Sequence, residues 1–208
     1  MAQIRPFRAE DLDALYEICL KTGEHGADAS ARYADPRIIG EIYAAPYATL
    51  EPELAFVAED DDGVAGYILG TADTRAFEAR CEAEWWPRLR TIHPNPRGSP
   101  PGDWTWDQKR AFQIHRPFPI PDPVVAAAPA HLHINLLPRL QGQGTGQAML
   151  DTWLWAVGGK VHLGCDVENV RAQRFYDAYG FKRLAVEGSD RTIWMTFGAY
   201  ADWLYVLC

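Results

Sequence analysis

Pro138-Arg139-Leu140-Gln141-Gly142-Gln143-Gly144-Thr145-Gly146-Gln147 stands between two patterned segments of the chain. Residues 132–137 before it form an apolar run of strand length. After it, Met149, Leu150, Trp153, Leu154 and Val157 recur at helical spacing and give one apolar face. A glycine-rich turn between a strand and a helix leaves backbone N–H groups pointing outward at the positive end of the helix dipole. That arrangement suits a phosphate, and Ser, Thr or Gly near such a turn also suits the helix start.

Elimination narrows the phosphate ligand. A nucleotide-hydrolysing loop ends in Gly-Lys-Ser/Thr, whereas Gly146 is followed by Gln147 and Ala148. A dinucleotide fingerprint needs a third glycine at the position of Gln147. The pattern that fits is Gln-x-x-Gly-x-Gly at Gln141, Gly144 and Gly146, which resembles the pyrophosphate loop of GNAT-family acetyltransferases. Downstream, Asn169, Ala172, Tyr176, Gly180 and Phe181 stand in register with the second signature of that family, Asn-x-x-Ala-x-x-x-Tyr-x-x-x-Gly-Phe. One helix and one strand (residues 161–165) separate the two motifs. Read from the residues alone, Ala172, Phe175, Tyr176 and Tyr179 form a second amphipathic helix that begins near Asn169 and is ended by Gly180.

The resemblance implies an α/β (α+β, GNAT-type) fold: a mixed, mostly antiparallel sheet of about six or seven strands with helices on both faces. It implies acetyl-CoA as co-substrate and no metal. In this chain the backbone at Leu136 would pair with the pantetheine arm, with Leu137 beside it. The amides of Gly142, Gln143, Gly144, Thr145 and Gly146, flanked by Gln141 and Gln147, would hold the pyrophosphate. Asn169, Ala172 and Phe175 would line the other side, and Tyr176 would act as general acid to the leaving sulfur. Tyrosine, with a pKa near ~10, keeps its proton at neutral pH and can donate it.

The general base is not named by the motifs. By alternation, His131, His133 and Asn135 share one face of the strand that precedes the loop. Either that polar face opens into the acceptor cleft, with His133 as base through water, or the histidines are satisfied core residues. Asp166 and Asp73 are rival candidates for binding an amine, and Glu168 reads as a solvated carboxylate at a helix start.

Twenty basic against 28 acidic residues give a net charge of −8 over 208 residues, which argues against a nucleic-acid partner. No apolar run reaches membrane-spanning length, and Met1-Ala2-Gln3-Ile4-Arg5 opens no secretory segment, so a cytoplasmic location is expected. Cys19, Cys81, Cys165 and Cys208 show neither zinc nor disulfide spacing; Cys19 and Cys81 read as core residues. The expected organisation is a single domain over 1–208. The aromatic Trp203, Leu204 and Tyr205, together with edge strands, leave room for a homodimer.

The first half reads as a strand over 3–7, a helix carrying Leu12, Leu15, Tyr16 and Cys19, and a second helix within 36–45. A hairpin of strands 54–58 and 64–69 follows, joined by the turn Glu59-Asp60-Asp61-Asp62-Gly63. An insertion over 71–129 then departs from the minimal plan. Residues 73–90 read as one helix, with Phe77, Cys81, Trp85 and Leu89 four apart. Residues 91–129 read as a stiff, ordered, proline-rich loop, either covering the active site or only packing.

Tyr67-Ile68-Leu69-Gly70-Thr71-Ala72-Asp73, with Phe77, Cys81, Trp85 and Pro87, resembles the acetyltransferase-like C-terminal domain of O-GlcNAcases. The animal domains lack a usable pyrophosphate loop, whereas this chain keeps Gln141, Gly144 and Gly146. The combined expectation is transfer of acetyl from acetyl-CoA to a primary amine of a small molecule or a lysine. The alternatives are a catalytically silent acetyl-CoA-binding module acting as sensor or scaffold, and a flavin- or nucleotide-binding α/β protein.

Overall fold

The computed structural model describes residues 2–98 and 100–198, so the Trp203, Leu204 and Tyr205 reading lies outside the described residues. Seven strands form one mixed sheet in the order β1-β2-β3-β4-β5-β7-β6. They are β1 (Gln3–Pro6), β2 (Ala55–Asp60), β3 (Gly63–Thr71), β4 (Ala130–Leu136), β5 (Val161–Asp166), β6 (Lys182–Leu184) and β7 (Thr192–Phe197). Every neighbouring pair is antiparallel except β4 with β5. Helices cover both faces, as expected of the GNAT-type fold.

The β3–β4 pairing runs unbroken from Gly66↔Leu136 to Thr71↔His131. Gly70 makes this approach possible: a Cβ there would lie 2.1 Å from the His131 carbonyl oxygen and 2.6 Å from the ring of Trp153. The β4–β5 pairing, in contrast, holds only at Ala130↔Val161 and His131↔His162. Beyond His131 the two strands diverge, and β4 offers an unpaired edge from Leu132 to Leu136.

The sheet faces carry separate cores. On one, α8 (Thr145–Val157) and α9 (Val170–Tyr179) bury Trp153, Met149, Leu150 and Phe181 against Ile68 and Leu132. Trp153 is fully buried, and its indole N–H donates to the Leu54 carbonyl at 2.9 Å. The other face is covered by α1 (Leu12–Lys21), α2 (Gly40–Tyr43) and α3 (Ala45–Leu50), together with the insertion. The second helix expected within 36–45 is thus two short helices, the later one extending to Leu50.

The insertion is more helical than its prolines suggest. Residues 73–90 do not form one helix. Instead α4 (Thr74–Arg80) passes through a π-helical turn, Cys81–Trp85, into α5 (Trp86–Ile92). Pro87, second in α5, cannot donate to the preceding turn, and the wider turn accommodates its ring. Phe77, Cys81, Trp85 and Leu89 are nonetheless all buried. The segment read as a proline-rich loop contains α6 (Trp106–His115) and α7 (Asp122–Ala127). Thr105 and Gln108 form a reciprocal capping box at the start of α6, and the stretch between Pro101 and Pro117 holds no proline. Two contacts pin the insertion to α2: Trp85 Nε1 donates to the Glu41 carbonyl at 2.8 Å, and the His93 ring meets the Glu41 carboxylate at 2.6 Å.

Candidate active site

The glycine loop makes a cradle. Gly142 (φ 74°) and Gly144 (φ 80°) adopt the left-handed conformation, and among the described residues no atom beyond the immediate chain neighbours lies within 4 Å of where a Cβ would stand on either. Gly144 caps α8, whose first intrahelical bond runs from the Ala148 N–H to the Gly144 carbonyl. The N–H groups of the first turn therefore lack helical partners and point towards open space. Gln141 ties the loop back to β4 by donating from Nε2 to the Leu136 carbonyl at 2.6 Å, and Gln143 donates to the Arg139 carbonyl at 2.9 Å.

A cleft of about 750 Å³ opens from this loop along the free edge of β4. Leu136, Gln141, Gly142, Gly144, Gly146 and Gln147 form one wall, and Asn169, Ala172, Phe175 and Tyr176 the opposite one. Asn169 caps α9 by accepting from the Ala172 N–H at 3.1 Å. Arg171 also lines the cleft and supplies a positive charge. Leu137, Gln143 and Thr145 do not line it: the Leu137 N–H donates to the Ala65 carbonyl at 2.8 Å, and the Thr145 side chain is buried. Tyr176 is buried with its ring 5.3 Å from Phe175, and burial pushes its phenol pKa upward. Its hydroxyl has no hydrogen-bond partner among the described residues and keeps its proton at neutral pH.

A second cleft, of about 500 Å³, lies where His131 and His133 face the insertion. Its floor is Leu132 and His133 of β4 with His162, Leu163 and Gly164 of β5, so the two clefts share strand β4, which lines the first with Ile134, Asn135 and Leu136. The histidines belong to one hydrogen-bonded chain whose direction the bonding pattern assigns. The Thr74 hydroxyl lies 2.6 Å from the Pro129 carbonyl, which can only accept, so Thr74 donates there. His131 Nδ1, 2.7 Å from the Thr74 oxygen, must then carry a proton, which leaves its Nε2 bare. The Tyr47 hydroxyl donates to that Nε2 at 2.8 Å and accepts from His133 Nε2 at 3.1 Å. His133 is therefore protonated on Nε2 and presents an unprotonated Nδ1.

Burial pushes all three imidazoles below the usual histidine range, His133 to about 4, so they are neutral at pH 7. His162 donates from Nδ1 to the Ala128 carbonyl at 2.6 Å, and its buried Nε2 has no hydrogen-bond partner among the described residues. Of the two readings left open for the polar face, His131 is a satisfied core residue, whereas His133 reaches the cleft. Tyr47, Thr74 and His162 had no motif to announce them.

The two aspartates are elsewhere. Asp73 caps α4, accepting from the N–H groups of Arg75 and Ala76. Asp166 lies at the end of β5 and lines neither cleft. Its carboxylate pairs with His25 Nδ1 at 3.3 Å and accepts from the Glu168 N–H at 2.8 Å. Glu168 pairs with the other nitrogen of His25 at 3.0 Å, fastening the loop after α1 to the loop before α9. Asp166 is thus not brought together with His133 and Tyr176.

Solved structures with this architecture include the PaiA N-acetyltransferase of Thermoplasma acidophilum in complex with coenzyme A. It has a TM-score of 0.56 and 16% identity over 96% of this chain and 99% of that one, a likeness of fold. Far nearer is the crystal structure of SsHAT, with a TM-score of 0.86 and 41% identity over 94% of this chain and 97% of that one. The chain belongs to the GNAT family of acetyltransferases. It is also similar to rat (Rattus norvegicus) protein O-GlcNAcase, 24% identical over 196 residues, 91% of this chain. The match takes in 21% of the rat protein, so this GNAT chain spans about one fifth of the length of the curated relatives it matches. No protein-family model matches the chain. Among the described residues no helix is long and apolar enough to cross a membrane.

Proposed function

We propose that this single GNAT domain binds acetyl-CoA and transfers its acetyl group to a primary amine. The observation that carries the reading is the divergence of β4 from β5 beyond His131, with a phosphate-suited loop and Tyr176 on one side and the His133 cleft on the other. The donor set fits the coenzyme: free helix-start amides and Arg171 for phosphate, and an unpaired strand edge for an amide-bearing arm. The coenzyme A carried by the PaiA structure supports the same reading.

The thioester supplies the acyl group, the C–N bond forming at its carbonyl as the C–S bond breaks. Tyr176, protonated and without a hydrogen-bond partner among the described residues, donates to the sulfur. His133 Nδ1 accepts a proton from the amine, directly or through water. Because burial makes His133 a weak base, the amine reaches it already neutral; the residue orients the attack and takes the proton released as the C–N bond forms.

Calorimetric titration with acetyl-CoA, followed by amine-dependent release of CoA, tests the proposal. Saturable binding with turnover that collapses in Tyr176→Phe supports it. Absence of binding overturns it, and binding without turnover on any amine leaves a coenzyme-binding module that senses or scaffolds.

A further inference from the structure

The acceptor cleft has an unusual charge balance for a protein of net charge −8. Two carboxylates reach it, and both are already engaged. Glu78 pairs with Arg75 at 2.6 Å and accepts the Ile120 N–H at 2.9 Å. Glu82 is held by both terminal nitrogens of Arg90, at 2.5 and 2.8 Å. The Gln113 carbonyl accepts from the Tyr43 hydroxyl and from Arg110. The three histidines are neutral, so the described lining of the cleft offers no free negative charge and two bare nitrogens, Nδ1 of His133 and the buried Nε2 of His162.

Most of the remaining lining is apolar, and much of it is aromatic. Tyr43, Tyr47, Phe77, Trp86 and Trp194 line the cleft, with Tyr47 and Phe77 stacked at 4.3 Å. Phe118 stands at its rim between Pro117 and Pro119, and is 69% exposed. An exposed phenylalanine held by flanking prolines over a cavity is a ring with one side unoccupied. A polycation entering here would lose its water and find no carboxylate to replace it. A sugar amine would bring several hydroxyls to walls that are mostly apolar and whose carboxylates and amide are already engaged. A flat apolar body would meet ring faces and edges from several directions.

Building on the acetyltransferase reading, we propose that this cleft selects arylalkylamines, a single amino group on a short stem attached to an aromatic ring. The amine nitrogen lies against His133 Nδ1, and the ring lies among Tyr47, Trp194 and Phe118. Amines carrying several charges or hydroxyls are excluded.

The test is CoA release by the full chain with acetyl-CoA and, in turn, 2-phenylethylamine, tryptamine, spermidine, glucosamine and a lysine-containing peptide. The expected kcat/KM for the two arylalkylamines is about tenfold or more above the others. The Phe118→Ala variant, altered only at an exposed rim, and Trp194→Leu should lower it for 2-phenylethylamine without changing the affinity for acetyl-CoA. Preference for spermidine, glucosamine or the peptide overturns the inference while leaving the acetyltransferase reading intact. If acetyl-CoA fails to bind, that reading falls, and saturation-transfer NMR with 2-phenylethylamine still decides the cleft. Transfer to its ring that weakens in Phe118→Ala supports the inference, and no transfer overturns it.

Discussion

The Tyr47 hydroxyl lies 3.1 Å from Nε2 of His133, joining residues 86 positions apart in the chain. Through this bond the Thr74–His131–Tyr47 chain dictates which nitrogen of His133 is bare. Replacing Tyr47 with Phe removes the direction-setting hydroxyl and orphans Nε2 of both histidines. The expected loss is about 2 kcal/mol of stability. In nitrogen-detected NMR, His133 should change from the pure Nε2–H form to a mixture of tautomers. Turnover should fall while acetyl-CoA affinity holds. Thr74→Ser should preserve the tautomer and Thr74→Val should not; a His133 tautomer indifferent to both would refute the chain.

The same burial makes stability pH-dependent. His133 titrates at about 4 in the folded protein and at ~6.5 when unfolded, so between those values the unfolded chain binds more protons. Its contribution is fully present above the unfolded value and is lost as the pH falls through the window to about 4. His131 and His162 are shifted in the same direction by the same cause and steepen the loss. Thermal melts from pH 7.5 to 4.5 should show a falling midpoint, with a shallower fall in His133→Asn. A midpoint flat across this range would show that the imidazoles are not desolvated as described.

Local features of the site were legible in the sequence and long-range ones were not. Gly144, Asn169 and Gly180 act within a few residues of themselves, as left-handed helix cap, side-chain cap and helix stop, so residue type and spacing suffice to read them. The partnership of Tyr47 with His133 depends on how α3 packs across the sheet, which no spacing encodes. Asp166 was drawn towards the chemistry by its place after β5, but His25 from a distant loop claims its carboxylate. Helix α6 was hidden by the prolines on either side, although Thr105 and Gln108 were a readable start signal.

The loop glycines separate binding from stability. Gly144→Ala places an L residue at φ 80° with open space around it, so the cost is backbone strain of about 1 kcal/mol, and relaxation of the loop should weaken acetyl-CoA binding. Gly158, the left-handed cap at the other end of α8 (φ 63°), is equally open. Gly158→Ala should cost a similar amount in a denaturant titration yet leave coenzyme affinity unchanged. Equal weakening of affinity by both variants would show that the loop is no special cradle.

Gly70 carries the heaviest steric demand in the sheet. A methyl group there would stand 2.1 Å from the His131 carbonyl oxygen and 2.9 Å from the Leu132 Cα, both backbone atoms fixed by the β3–β4 pairing. Neither can turn aside, and the ring of Trp153 closes the remaining direction at 2.6 Å. Gly70→Ala must therefore part β3 from β4 beside His131, the point from which β4 and β5 diverge, at a cost of about 3 kcal/mol. His131 and His133 should be displaced with it. Gly66→Ala, four residues earlier on β3, meets the flexible Leu136 side chain at 3.2 Å and the Asn135 carbonyl oxygen at 3.3 Å, well beyond the 2.1 Å backbone contact at Gly70, and should cost much less. Comparing the two midpoints by thermal unfolding checks the register directly: similar values would mean that β3 and β4 do not approach as closely as the Gly70 backbone requires.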